Sequence, residues 1–196
     1  MAPGQTPSQT VGPFFSFGLA PEQYGYPFRS LAGANLVDAS TVGTRIRITG
    51  LVLDGEGQAL GDALVEIWQA DAEGRYAHPA DPRSSNAGFK GFGRAGTGTD
   101  PERRYSFDTV MPGASGDGQA PHINMIVFAR GMLNHLYTRL YFEDHAEANA
   151  RDPVLQSVPA ERRDTLIARR DKTDGGIVYR FDIRLQGDNE TVFFDV

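Results

Sequence analysis

Thr44–Leu53 reads TRIRITGLVL. Arg45 and Arg47 alternate with Ile46 and Ile48, and a period of two places successive side chains on opposite faces of a strand. Asp54-Gly55-Glu56-Gly57 follows with turn chemistry. The same grammar recurs along the chain. Ala63–Gln69 (ALVEIWQ), Tyr105–Val110, His122–Ala129 (HINMIVFA), Leu136–Phe142 (LYTRLYF) and Ile177–Leu185 (IVYRFDIRL) read as strands, and Glu190–Phe194 as a last one. Many short strands separated by turn signals predict an all-β fold, a two-sheet β-sandwich with long loops.

Helices are few in this reading. Asp144–Ala150 is rich in Ala and Glu and is expected to stop at Asp152-Pro153. Pro159–Arg169 is expected to form a second short helix with Leu166 and Ile167 turned inward. Asp81–Gly98 reads as a loop, and its length marks it as a functional or interface loop.

With 196 residues, the chain fits one large domain. Residues 44–196 form that domain in this reading, and residues 1–43 an N-terminal arm that packs on it or on a partner. The arm carries Phe14, Phe15, Phe17, Tyr24, Tyr26 and Phe28, rings that a disordered tail lacks. The 23 glycines and 12 prolines favour loops and strands over a helical bundle. There is no internal repeat.

A net charge of −6 argues against nucleic acid, whose phosphates need basic stripes, and against docking on an anionic membrane. The chain has no cysteine, which removes disulfides, thiolate metal sites and cysteine nucleophiles. No stretch approaches the ~18 apolar residues of a membrane span, and the N-terminal residues do not read as a signal peptide. The expected location is the cytoplasm.

Two places suggest chemistry. Ala120-Pro121-His122-Ile123-Asn124 opens an apolar strand, and residues i and i+2 share a face. A histidine pair there would make a two-ligand metal edge, but the second position is Asn124, a poor donor for ferric iron. Taken alone, His122 reads as a hydrogen-bonded structural histidine. Glu66–Asp71 runs into Gly74-Arg75-Tyr76, a strand and turn presenting a tyrosine: phenolate ligand, aromatic anchor or surface residue. His78, His135 and His145 read as structural or surface residues.

Taken together, EIWQADAEGRY (66–76), Gly91-Phe92-Gly93-Arg94, APHIN (120–124), Arg139–Phe142, Tyr179–Ile183 and Thr191–Asp195 resemble the intradiol ring-cleaving dioxygenases. The similarity runs from about residue 5 to the C-terminus. Thr6–Phe14, Phe128–Gly131 and Leu136–Phe142 resemble more narrowly the non-catalytic α type of chain in that family. Catalytic chains of the family bind ferric iron through two tyrosines and two histidines. Tyr76 matches the first tyrosine and His122 the first histidine, whereas Asn124 replaces the second histidine. Val110–Pro121, where the second tyrosine would lie, has none, and Gln119 stands where catalytic chains carry an arginine.

The resemblance therefore implies that Tyr76, His122 and Asn124 are vestigial ligand positions and that this chain holds no metal of its own. Fe(III) would sit in a homologous catalytic β subunit. Thr10, Gly12, Pro13 and Arg130 match positions that line the substrate cavity between the two chains, which would take a small aromatic acid and O2. On its residues alone, Arg130 reads first as a surface ion pair. Two other readings remain open at this stage: an independent catechol-type dioxygenase with an unrecognised ligand set, and a β-sandwich interaction module with no enzymatic role.

Overall fold

The computed structural model describes residues 4, 9–12, 14–83, 88–116, 118–171 and 175–195. The strands are β1 (Arg45–Leu53), β2 (Leu64–Gln69), β3 (Phe92–Gly96), β4 (Arg104–Val110), β5 (His122–Phe128), β6 (Leu136–Phe142), β7 (Ile167–Asp171), β8 (Val178–Arg180) and β9 (Ile183–Arg184). Helices are short: α1 (Phe14–Leu19), α2 (Ala146–Asn149) and α3 (Pro153–Ser157), with 3-10 turns at Pro21–Tyr24, Glu143–His145 and Ala160–Leu166. Among the described residues, no helix is long and apolar enough to cross a membrane.

The two separate sheets expected from the sequence are hydrogen-bonded into one. Nine strands run in the order β3-β2-β5-β6-β7-β8-β1-β4, with β9 beside β1. The join is β7. Ile167 and Ala168 pair with β6, while Arg169, Arg170 and Asp171 pair with β8, so a single strand serves both halves. Sharing it leaves no unpaired edge between the halves.

The two outer edges, β3 and β4, are bridged by Gly33–Leu36. Arg94 N donates to Gly33 O at 3.1 Å and Lys90 N to Leu36 O at 3.2 Å. On the other side, Asp108 N donates to Ala34 O at 3.0 Å and Leu36 N to Asp108 O at 2.9 Å. The sheet thus nearly closes on itself, with Leu36 fully buried in the core beneath the bridge.

Inside, the alternation works as the strand period demands. Ile123, Met125 and Val127 of β5 are fully buried beside Ile48, Val65, Phe107 and Leu140. Gln69 crosses this apolar interior fully buried. Its amide donates to Val110 O at 3.0 Å and accepts from Thr109 Oγ1 at 2.8 Å, tying β2 to β4 with its polar atoms satisfied. A second, smaller cluster of Ala120, Tyr141, Leu155, Val158 and Leu166 sits under the helical excursion between β6 and β7.

Several local expectations change for physical reasons. Phe92–Gly96, read as loop, is a strand because its backbone pairs with β2. The expected helix at Pro159–Arg169 is a 3-10 turn followed by β7, since Ile167 and Ala168 complete the ladder with β6. Asp152-Pro153 starts a helix as well as stopping one: Asp152 Oδ1 accepts from Leu155 N at 2.8 Å, an N-cap with proline in the first turn. Ile177–Leu185 breaks into β8 and β9 at Phe181-Asp182, where Leu51 N bonds the Asp182 carboxylate, at 3.0 Å. Glu190–Phe194 contributes one bridge, Tyr137 to Phe194.

Candidate functional site

Strand register collects the chemistry on the outer face of β2, β5 and β6. Asn124 stands opposite Trp68 on one side and Arg139 on the other, and His122 stands opposite Tyr141. Tyr76 reaches the same neighbourhood from the turn after β2, its ring stacked on Trp68 with centroids 5.6 Å apart. That turn is built by Asp71. Its carboxylate accepts from Glu73 N, Arg75 N and Arg75 Nε at 2.9, 3.0 and 2.9 Å. Burial alone would raise the Asp71 pKa, but these hydrogen bonds outweigh it and hold the group below its ordinary value. Gly74 has φ +76°, and a Cβ there would lie 2.0 Å from Ala114 O, so only glycine fits.

The structure therefore places His122 and Asn124 on one face, with Tyr76 reaching its edge through Trp68. Whether that face fits iron is a question of donors. His122 Nδ1 lies 2.8 Å from Ala120 O, and since a carbonyl only accepts, Nδ1 carries the proton and Nε2 the lone pair. That tautomer suits a ligand, yet Nε2 is sealed from solvent with no partner among the described residues. Burial, reinforced by the Arg139 charge, pushes the imidazole pKa below its ordinary value. Asn124 offers a neutral amide, and among the described residues no three His, Cys, Asp or Glu side chains are grouped to hold a metal. The donor set does not fit ferric iron, and no chemical step is assigned to a metal in this chain.

The surroundings of His122 are fixed. Asp152, fully buried, accepts from Ala120 N at 2.8 Å and from the Tyr141 hydroxyl at 3.0 Å. Burial keeps the Tyr141 phenol well above its usual pKa, so it stays a neutral donor. Gln119 accepts from Arg139 Nη1 at 2.8 Å, giving that guanidinium an uncharged partner.

The arm positions lie elsewhere. The Thr10 hydroxyl accepts from Gly131 N at 2.8 Å and makes a long 3.5 Å bond to Ala129 O, so it grips the backbone on both sides of Arg130. Gly12 is half-buried two residues on; Pro13 lies outside the described residues. Thr10 and Arg130 thus sit just past the far end of β5, a strand about 20 Å long that starts at His122. Arg130 is not a free cation: its Nε lies 2.9 Å from Asp62 Oδ2, with the Arg130 side chain 67% exposed. Asp62 escaped the sequence reading because nothing local links residues so far apart in the chain.

Solved structures share this architecture. An intradiol ring-cleavage dioxygenase from Tetranychus urticae aligns over 83% of this chain and 93% of its own, with a TM-score of 0.56 and 21% identity. 3-Chlorocatechol 1,2-dioxygenase from Rhodococcus opacus 1CP aligns over 81% and 68%, with a TM-score of 0.56 and 22% identity. The fold is that of the intradiol dioxygenases.

Residues 28–187 match the family described as Dioxygenase, and the chain belongs to it. It is 51% identical over 193 residues to the protocatechuate 3,4-dioxygenase alpha chain of Burkholderia cepacia, covering 98% of both chains. Identity to the alpha chain of Pseudomonas putida is 47% over 197 residues, covering 97% of this chain and 96% of that one. The beta chain of Burkholderia cepacia is 40% identical over 162 residues, covering 76% of this chain and 68% of that one.

Proposed function

We propose that this chain is the α subunit of a protocatechuate 3,4-dioxygenase and completes the substrate cavity of a ferric site carried by a homologous β subunit. The assembly would open 3,4-dihydroxybenzoate between its two hydroxyl-bearing carbons, adding both atoms of O2 to give 3-carboxy-cis,cis-muconate. The observation that carries this reading is the donor set. Asn124 stands beside a sealed His122 in a chain 51% identical to an alpha chain.

In this proposal the arm, residues 1–43, also serves the partner. Thr10, Gly12, Pro13 and Arg130 contribute a wall with little bulk and one movable cation. The Arg130 head group is mostly exposed and within reach of a substrate carboxylate or a partner side chain, whereas Asp62 is only 16% exposed, so a group that drew Arg130 away would also have to offset the cost of leaving a largely buried carboxylate unpaired. The sheet is read as two facing layers joined through β7, with Gln69 linking them. A cytoplasmic setting fits a chain without cysteine.

The test is to purify the full chain alone and together with its β partner, measuring bound iron and protocatechuate-dependent oxygen uptake. Iron and uptake are expected only in the co-purified complex. Stoichiometric iron with turnover in the isolated chain would overturn the proposal.

A further inference from the structure

A cavity of about 540 Å³ lies beside the turn that presents Tyr76. Its volume falls within the usual range of small-molecule sites. Three rings line it: Trp68 and Tyr76, offset-stacked at 5.6 Å and 21°, and His78, edge-on to Trp68 at 6.3 Å and 84°. Pro82 adds another flat apolar surface, and Asp81 and Arg83 complete the lining.

The uncharged side-chain groups of the three rings can donate. Ala80 N donates to His78 Nδ1 at 3.1 Å, so the proton of the neutral ring sits on Nε2. Among the described residues, nothing accepts the Trp68 indole N–H or the Tyr76 hydroxyl. Charge, by contrast, is already matched. Asp81 accepts from Tyr76 N at 2.9 Å and from Arg83 Nε and Nη2 at 2.8 and 2.7 Å. Hydrogen bonds from the Arg83 side chain and from the Tyr76 and Arg83 backbone hold the Asp81 carboxyl well below its ordinary pKa, so the pair stays ionised and paired.

The loop is also organised before any ligand arrives. Asp71 fixes its start at Arg75, Asp81 ties its far end back to Tyr76, and Arg83 Nη2 donates to Gly74 O at 3.0 Å. Little ordering is then left for binding to accomplish.

We propose that this cavity is a binding site for a small planar aromatic ring bearing oxygen acceptors, held by stacking against Trp68, Tyr76 and His78 and by their ring and hydroxyl donors. An aliphatic ring of equal size presents no flat face and loses the ring–ring geometry. The inference does not depend on the α-subunit reading, because the cavity is built wholly from this chain.

Trp68 is the single tryptophan of the chain, so its emission reports on this cavity directly. The experiment titrates the full chain with benzoate and, separately, with cyclohexanecarboxylate, reading Trp68 emission and, in parallel, ligand binding by equilibrium dialysis. Saturable binding of benzoate is expected, with half-saturation on the order of 1 mM or tighter, as the ceiling on affinity per atom allows for so small a ligand. His78→Gln and Tyr76→Leu are each expected to weaken it about fivefold or more, about one kcal/mol per ring lost, and cyclohexanecarboxylate to bind at least as weakly as benzoate does to those variants. His78 is exposed, so its replacement leaves the fold intact if Tyr76→Leu does not. No saturable benzoate binding by either readout, equal binding of the aliphatic acid, or indifference to His78→Gln would overturn the proposal. Turnover is not read, so failure here leaves the α-subunit proposal to its own test.

Discussion

Arg94 shows how a charged side chain is used to seat the arm. Its Nε and Nη2 contact Glu66 Oε1 at 2.7 and 2.6 Å, and its Nη1 reaches Leu19 O at 3.4 Å, at the end of α1. Glu66 is only 8% exposed, so its charge depends on this partner. Arg94→Met is expected to lose about 2–3 kcal/mol, slightly less than breaking a fully buried pair. Adding Glu66→Gln should restore more than half of the loss. Urea unfolding of both single variants and the double variant closes the cycle; strict additivity would mean that the pair is not coupled.

His122 carries a different consequence, a dependence of stability on pH. The folded imidazole has a pKa below its ordinary 6.5 because it is buried, while the unfolded one titrates normally. Below about pH 6.5 the unfolded chain therefore binds a proton that the folded chain resists. The contribution is full above that pH and is lost progressively as pH falls toward the depressed folded value. Urea midpoints at about pH 7.5 and about pH 5.5 should differ more for the native chain than for His122→Phe. An unchanged difference would assign the acid sensitivity to other groups.

At the scale of elements, the split between β8 and β9 is a designed crossing. Gly50 of β1 lies so close to the split that a Cβ would sit 1.8 Å from Phe181 O and 2.9 Å from the Tyr105 hydroxyl. The Tyr105 hydroxyl itself donates to Phe181 O inside the core, which draws that carbonyl away from an ordinary ladder. Gly50→Ala must push β1 away from Phe181. Overpacking of this kind is expected to cost about 3 kcal/mol or more, measured as the urea midpoint. A change under about 1 kcal/mol would mean that the crossing is soft.

The same crossing explains what the sequence could and could not reveal. IVYRFDIRL alternates throughout, so it reads as one strand; the interruption is imposed by Tyr105, more than seventy positions away. Phe92–Gly96 fails in the opposite direction. Its glycines carry no alternation, yet Gly93 must be small because a Cβ would meet Leu36 Cδ1 at 2.5 Å. Strands with one buried face, such as β1, β5 and β6, were legible because burial writes a period of two into the residues. Strands defined by a neighbour's backbone were not. In the site, the shared face of His122 and Asn124 was legible from their spacing, while their reading as vestigial ligand positions came only from the resemblance. The partner of Arg130, and the cavity lined by Trp68 and His78, arise only when the chain is folded.

For the whole molecule, the decisive fact is that β5 has two chemical ends. Its start carries His122 and Asn124, closed by Asp152 and the helical excursion; its end leads to Arg130, held open at the surface by Thr10 and Asp62. A chain that acted alone would be sensitive at the first end. A chain that completes a partner's cavity would be sensitive at the second. Thr10→Val separates these cases, because it keeps the side-chain shape and removes only the hydroxyl that grips Gly131 and Ala129. The isolated chain should lose no more than about 1 kcal/mol, the net worth of an exposed hydrogen bond. In the complex with the β subunit, the iron content should be unchanged while KM for protocatechuate rises several-fold, since the loop carrying Arg130 is no longer held in place. A wild-type KM would remove Thr10 from the cavity wall and leave it as a tether of the arm. A loss of iron would mean that the arm supports the metal site itself, a role that nothing in its contacts with Ala129 and Gly131 requires.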